Sequence, residues 1–130
     1  MARESYHDFM GRKMKEFRKD ANNDKRQNLL VAHEAMCAKA RNLMAKKNMD
    51  YAGEEDIFAN FRRTEDMGIT TTEKGFLVRM TDKFSRLATF TENNELAVKD
   101  ESVEDTLIDI INYAVLFHQY IKTKKDENEK

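Results

Sequence analysis

The chain has no proline and no tryptophan, four glycines and a single cysteine among 130 residues. Proline and glycine are the residues that punctuate strands and tight turns, whereas Leu, Met, Ala, Lys, Arg and Glu, which dominate here, favour helix; the balance predicts an all-α domain. Cys37 alone cannot form an internal disulfide, which fits a reducing cytoplasm. No apolar run approaches the roughly 20 residues that span a bilayer, and the charged N-terminal residues carry no signal-peptide core, so a soluble cytoplasmic protein without a membrane partner is expected. A large charge of one sign is also missing: 23 basic and 24 acidic residues leave a net charge of -1. Nothing in that total draws the protein toward nucleic acid, which is disfavoured as a partner unless a local patch supplies the field.

Length and a 40% hydrophobic content suit one compact domain with a modest core. Tyr6, Phe9, Met10, Met14 and Phe17 recur on one face of a first helix that should fray near Asp20 to Asn23, while Arg12, Lys15, Arg18 and Lys19 occupy the other face. A second helix is predicted from about Asp24 to Lys47, with His33 and Cys37 one turn apart in its apolar stripe; no second Cys/His pair joins them, so core packing is the simpler reading. Ile57, Phe58 and Phe61 mark a short third helix. Thr70 and Glu73 match a capping box before a fourth, from about 71 to 92, and Ser102 with Asp105 starts the last. The expectation is a compact bundle of about five helices in a single domain over 1–121, with the last helix central and 122–130 a frayed or disordered tail.

That last helix carries the most informative pattern. Glu101, Asp105, Asp109 and Asn112 fall within roughly 80° of arc at about 100° per residue, and the rest of the circumference is apolar from Val103 to Ile121. Carboxylates on a helix packed on most sides need cations, donors or a metal, which makes the stripe a candidate Mg²⁺ site. The fourth helix answers with Arg79, Asp82, Lys83 and Arg86 at i, i+3, i+4, i+7. Those charges have two possible uses: salt bridges between antiparallel helices, or phosphate chemistry in which acids hold Mg²⁺ and Arg/Lys forks neutralise the phosphate.

The ordered segments KNMDY at 47–51, DIFANF at 56–61, RMTDKFSRL at 79–87 and DESVEDTLIDIINYAVL at 100–116 resemble the phage-associated nucleotide modification associated domain family, over residues 39–121. That family is similar to the all-α, MazG-like nucleoside triphosphate pyrophosphohydrolases, which hold Mg²⁺ with acidic side chains. The resemblance implies metal ligation by Asp82, Glu101 and Asp105, with Asp109 as a ligand or water-orienting base, and phosphate binding by Arg79, Lys83 and Arg86, Lys83 also stabilising the charge of transfer. Where pyrophosphohydrolases carry Glu-Glu-x-x-Glu, this chain carries Arg79, Asp82, Lys83 and Arg86, so nucleotide phosphate binding survives the substitution better than hydrolysis. Lys47, Asn48, Asp50 and Tyr51 combine a cation, amide, acid and ring suited to base or sugar, and Asn60 with Arg62 or Arg63 are further candidates for the same cleft, their orientation not fixed by the sequence.

Three functions follow. The leading one is a Mg²⁺-dependent nucleotide-binding protein, active as a pyrophosphohydrolase giving monophosphate and pyrophosphate, in phage nucleotide metabolism or DNA modification and hence in a host cytoplasm. The second is a non-enzymatic nucleotide binder or sequestering protein serving counter-defence or regulation. The third is a helical interaction module whose charged stripes are structural. A last helix this apolar is hard to cover with one small chain, so a homo-oligomer is expected.

Overall fold

The computed structural model describes residues 2–50, 56–93 and 103–129, the side chains of 48–50 excepted. Among them are four helices and no strand: α1 (Tyr6–Asp50), α2 (Ala59–Asp66), α3 (Thr72–Asn93) and α4 (Val103–Asn128). The fold is all-α as expected, with four helices because the first two predicted ones are continuous. Residues 20–28, DANNDKRQN, are polar but hold neither glycine nor proline, and Asn or Asp costs only about 0.7 kcal/mol per residue against Ala in a helix. The boundary expected near Asp20 to Asn23 therefore does not form. No described helix is long and apolar enough to cross a membrane.

The chain divides into two compact units, Met1–Met36 and Cys37–Lys130, with α1 running through both. In the first unit Ser5 caps α1, its Oγ accepting from the Asp8 backbone N–H at 3.1 Å. Arg12 then bridges Glu4 and Glu16 at 3.1 and 3.3 Å, and its guanidinium holds the Glu4 carboxyl below the usual range. Tyr6, Met14 and Phe17 are exposed.

The second unit has an aromatic core. Phe76, with no exposed surface, stacks between Phe61 (centroids 3.8 Å apart, 10° between planes) and Phe117 (4.9 Å, 21°). Phe58 and Tyr120 close the cluster, their rings meeting edge-on at 5.5 Å. Within this unit α4 is central: its rings pack on α2, on α3 and on Phe58, while Asn112 reaches α1. It also continues to Asn128, through residues whose composition predicts fraying, and Lys124 there pairs with Glu73 at the start of α3.

Short-range chemistry sets the turns. Asp56 Oδ1 accepts from the Phe58 backbone N–H at 2.9 Å and starts the turn into α2. Gly68, at φ 74°, ends it in the left-handed conformation that glycine adopts without a Cβ clash. Thr71, rather than the predicted Thr70, caps α3 by accepting from the Lys74 N–H at 3.2 Å. The start signal at Ser102 lies outside the described residues.

Two predictions follow. A Cβ on Gly75 would stand 2.9 Å from Thr64 Oγ1, itself held by the Phe61 carbonyl, and 3.2 Å from that carbonyl. Overpacking of about 1–3 kcal/mol outweighs the helix-propensity gain of about 1 kcal/mol, so Gly75→Ala should lose roughly 1 kcal/mol in urea unfolding. Hydrogen bonding from Lys124 depresses the Glu73 pKa, and Glu73 raises that of Lys124. The Glu73 contribution is then present above the unfolded carboxylate value of about 4.3 and is lost as pH falls through the lowered folded value. The stability gap between wild type and Glu73→Gln, measured by thermal melts across pH, should be constant near neutrality and close below about pH 4.

Candidate functional site

The antiparallel packing of α3 on α4 decides which charges meet. Lys83 lies seven residues beyond Phe76, and Asp109 eight residues before Phe117, so the register that stacks those rings also brings this pair together. Lys83 Nζ stands 3.0 Å from Asp109 Oδ2, with side chains only 12% and 18% exposed. Asp82, by contrast, is 62% exposed and pairs along its own helix with Arg86 Nε at 3.3 Å. The charges of α3 are thus divided: Lys83 faces α4, while Asp82 points outward.

Beside the Lys83–Asp109 pair is a cleft of about 160 Å³. Its polar lining is Lys47 from the end of α1, Asn60 from α2, Arg79 from α3, and Asp109 and Asn112 from α4; Phe61 and Tyr113 supply aromatic walls, with Met44, Ile57 and Leu116 completing the apolar part. Asn112 Nδ2 donates to the Ala40 carbonyl at 3.0 Å, which ties α4 to α1 across 72 residues of sequence and leaves Oδ1 to accept from a ligand. Ala40 is buried at that crossing. Arg79 lies over the Phe61 ring at 5.5 Å, and among the described residues no carboxylate pairs with it. On the neighbouring surface Arg62 Nε stands 2.8 Å from Asp56 Oδ2 as a charge contact rather than an aligned hydrogen bond, with its guanidinium 5.5 Å from the Tyr120 ring.

Of the residues the sequence nominated, Lys47, Arg79 and Asp109 line this cleft, with Asn60, and Lys83 adjoins it through Asp109. Asp82 and Arg86 are not among its lining residues. Asp105 is exposed on α4 and makes interactions of its own. Glu101 and Tyr51, and the side chains of Asn48 and Asp50, lie outside the described residues. Phe61 and Tyr113, which the sequence reading did not nominate as site residues, pack edge-on at 6.0 Å and both line the cleft. Their neighbours Asn60 and Asn112, each one residue away, were the available signal.

Half of the residues lining this cleft, those from α3 and α4, fall within one recognisable segment. A family model described as nucleotide modification associated domain 1 matches residues 73–118. The match covers nearly all of α3 and most of α4, including Arg79, Lys83, Asp109, Asn112 and Tyr113. No curated protein and no solved structure gives a significant match to the chain.

No group of three or more His, Cys, Asp or Glu side chains among the described residues is placed to hold a metal ion. Asp109 is neutralised by Lys83, and Asp82 by Arg86. Carboxylate oxygens are the right donors for Mg²⁺, which is usually held by one or two of them together with waters and substrate phosphates. The donor set therefore fits an ion brought in with a nucleotide rather than a cage prepared in advance. His33 is exposed and Cys37 half-buried; neither belongs to a metal cluster among the described residues.

The Lys83–Asp109 pair yields a prediction about its own role. Removing one partner strands a largely desolvated charge, so Lys83→Met should cost about 3 kcal/mol in urea unfolding, whereas Lys83→Met with Asp109→Leu should recover most of it.

Proposed function

We propose that the protein binds a nucleotide in the cleft between α1, α2, α3 and α4 of its second unit. The observation that carries this reading is the convergence of two unlike kinds of group on one small cavity. Aromatic walls from Phe61 and Tyr113 with the amides of Asn60 and Asn112 suit the face and edge of a base, and the cations of Lys47 and Arg79 suit phosphate. At about 160 Å³ the cavity is smaller than the roughly 300–1,000 Å³ that bury a drug-sized ligand, so it takes one end of a nucleotide and leaves the rest outside. The family match over 73–118 supports the same ligand class.

Pyrophosphohydrolysis extends this reading. Water attacks the α-phosphorus, the bond to the α–β bridging oxygen breaks, and monophosphate and pyrophosphate leave. Arg79 binds phosphate charge, and Lys83 holds Asp109 in place while remaining close enough to share its proton donors with an incoming phosphate. Glu101, Asp105 and Asp109 are the acids that would hold Mg²⁺ entering with the nucleotide, and the ion would supply charge neutralisation and water activation. The replacement of the Glu-Glu-x-x-Glu motif by Arg79, Asp82, Lys83 and Arg86, and the pairing of Asp109 with Lys83, keep a sequestering protein as the second reading. Exposed Leu77 and Phe84 on α3, and Leu107, Val115 and Ile121 on α4, support self-association.

Incubation of the purified protein with ribo- and deoxynucleoside triphosphates and Mg²⁺, with products resolved by chromatography, tests both readings, and sedimentation of the same sample gives the assembly. Turnover to monophosphate and pyrophosphate is expected, at least about 100-fold slower in Asp105→Asn, a change that removes charge from an exposed position without disturbing the core. Calorimetric binding without product would establish the sequestering reading. Wild-type affinity and turnover in Arg79→Gln would remove the cleft from consideration.

A further inference from the structure

The charge of the first unit is sorted in a way that the nucleotide cleft does not use. Residues 12–26 contain seven Lys/Arg and three Asp/Glu, a local excess of basic charge within a chain of net charge -1. Because α1 is unbroken here, Lys15, Arg18, Lys19, Asn22 and Arg26 share one side, within about 100° of arc. With Asn23 they form one continuous exposed surface of the helix. The acids lie elsewhere: Glu16 is occupied by Arg12 and Lys13, at 3.3 and 3.5 Å, and Asp20 and Asp24 continue the side begun by Tyr6, Met10 and Phe17. Among the described residues no carboxylate pairs with Lys15, Arg18, Lys19 or Arg26.

We propose that this face of α1 binds the backbone of double-stranded DNA. A single small anion gains little from it, since a helix interior offers no free backbone N–H and the four cations are spread over twelve residues, about 16 Å of helix axis. A polyanion meets all four at once: duplex DNA carries one charge per about 1.7 Å of its axis. The fit in shape is also specific. An exposed α-helix about 10–12 Å across enters the B-form major groove, about 12 Å wide, with cations on its flanks reaching both strands and the Asn22 and Asn23 amides available to base edges; the A-form groove of duplex RNA is too narrow to admit it. A membrane surface fits poorly, because the apolar stripe of Tyr6, Met10 and Phe17 runs into Asp20 and Asp24, so the stretch that carries the cations has no continuous apolar face to enter lipid. The small total charge, which disfavours nucleic acid for the molecule as a whole, is compatible with a segregated patch.

The test is fluorescence anisotropy of the full chain on a labelled 20-base-pair DNA duplex across a salt series. Saturable binding is expected, with four phosphate contacts giving a log–log salt slope of about -3.6, or about 150-fold weaker binding at 200 mM than at 50 mM salt. Lys15→Gln/Arg18→Gln/Lys19→Gln should flatten that slope by about 2.7 and weaken binding at 50 mM salt at least tenfold, with helicity by circular dichroism unchanged. The charge-matched control Lys74→Gln/Lys122→Gln/Lys125→Gln should stay within about twofold of wild type. The proposal is overturned by the absence of saturable DNA binding, by equal weakening in both triple variants, or by tighter binding to duplex RNA of the same sequence or to phosphatidylserine vesicles. Because none of the three mutated cations touches the cleft, nucleotide turnover stands or falls separately.

Discussion

The ring of Phe76, held between Phe61 and Phe117, is the contact on which the second unit depends. Few side chains among the described residues of this unit are buried, and half of them are aromatic: Phe58, Phe61, Phe76 and Tyr120, beside Ala40, Thr72, Thr106 and Ile108. A core this small gains more from stacked and edge-on rings than from its area alone, since such pairs contribute about 0.5–1.5 kcal/mol each beyond burial. The stack also fixes geometry. One ring comes from each of α2, α3 and α4, so placing Phe76 sets the register of all three helices. Gly75, immediately before it, permits the backbone of α2 to approach closely enough for Phe61 to lie flat on its neighbour.

Three rungs between α3 and α4 show what that register does. Glu73 meets Lys124 at one end, Phe76 meets Phe117 next, and Lys83 meets Asp109 two helical turns further on. The first rung is exposed and contributes little, the second is apolar, and the third is a charged pair drawn largely out of water. Desolvation makes that third rung weak as a source of net stability and sensitive to the loss of either partner. Its position beside the cleft gives it a second consequence, for it cancels the acid that would otherwise dominate the cavity and leaves Arg79 and Lys47 as the cations facing a ligand. The structural salt bridge and the phosphate-handling reading therefore concern neighbouring charges of one helix rather than competing for all of them.

The two units use charge differently. In the second, opposite signs are brought together across helices by an aromatic core. In the first, Ser5 caps a helix on which Lys15, Arg18, Lys19 and Arg26 lie on the side away from Asp20 and Asp24, and Arg12 binds Glu4 and Glu16 near its start. The continuity of α1 through Asp20 to Asn23 matters here, because a break would have turned Arg26 away from Lys15 and Arg18.

Much was legible in the residues alone. The scarcity of glycine and proline determined the helical class, the spacing of Asp105, Asp109 and Asn112 placed them on one face of α4, and Arg79, Asp82, Lys83 and Arg86 were recognisable as a stripe, because all of these depend on local propensity and on the 3.6-residue period. The two ends of the first predicted break carried no such signal: a run of Asp and Asn weakens a helix only slightly, and whether it ends there is settled by the sum over many residues. What only the tertiary structure decided was partnership. Periodicity states which side chains share a face but not which face meets which, and it took the stacking of Phe76 on Phe117 to bring Lys83 to Asp109, to leave Asp82 in solvent with Arg86, and to turn Phe61 and Tyr113 from core residues into the walls of a cleft.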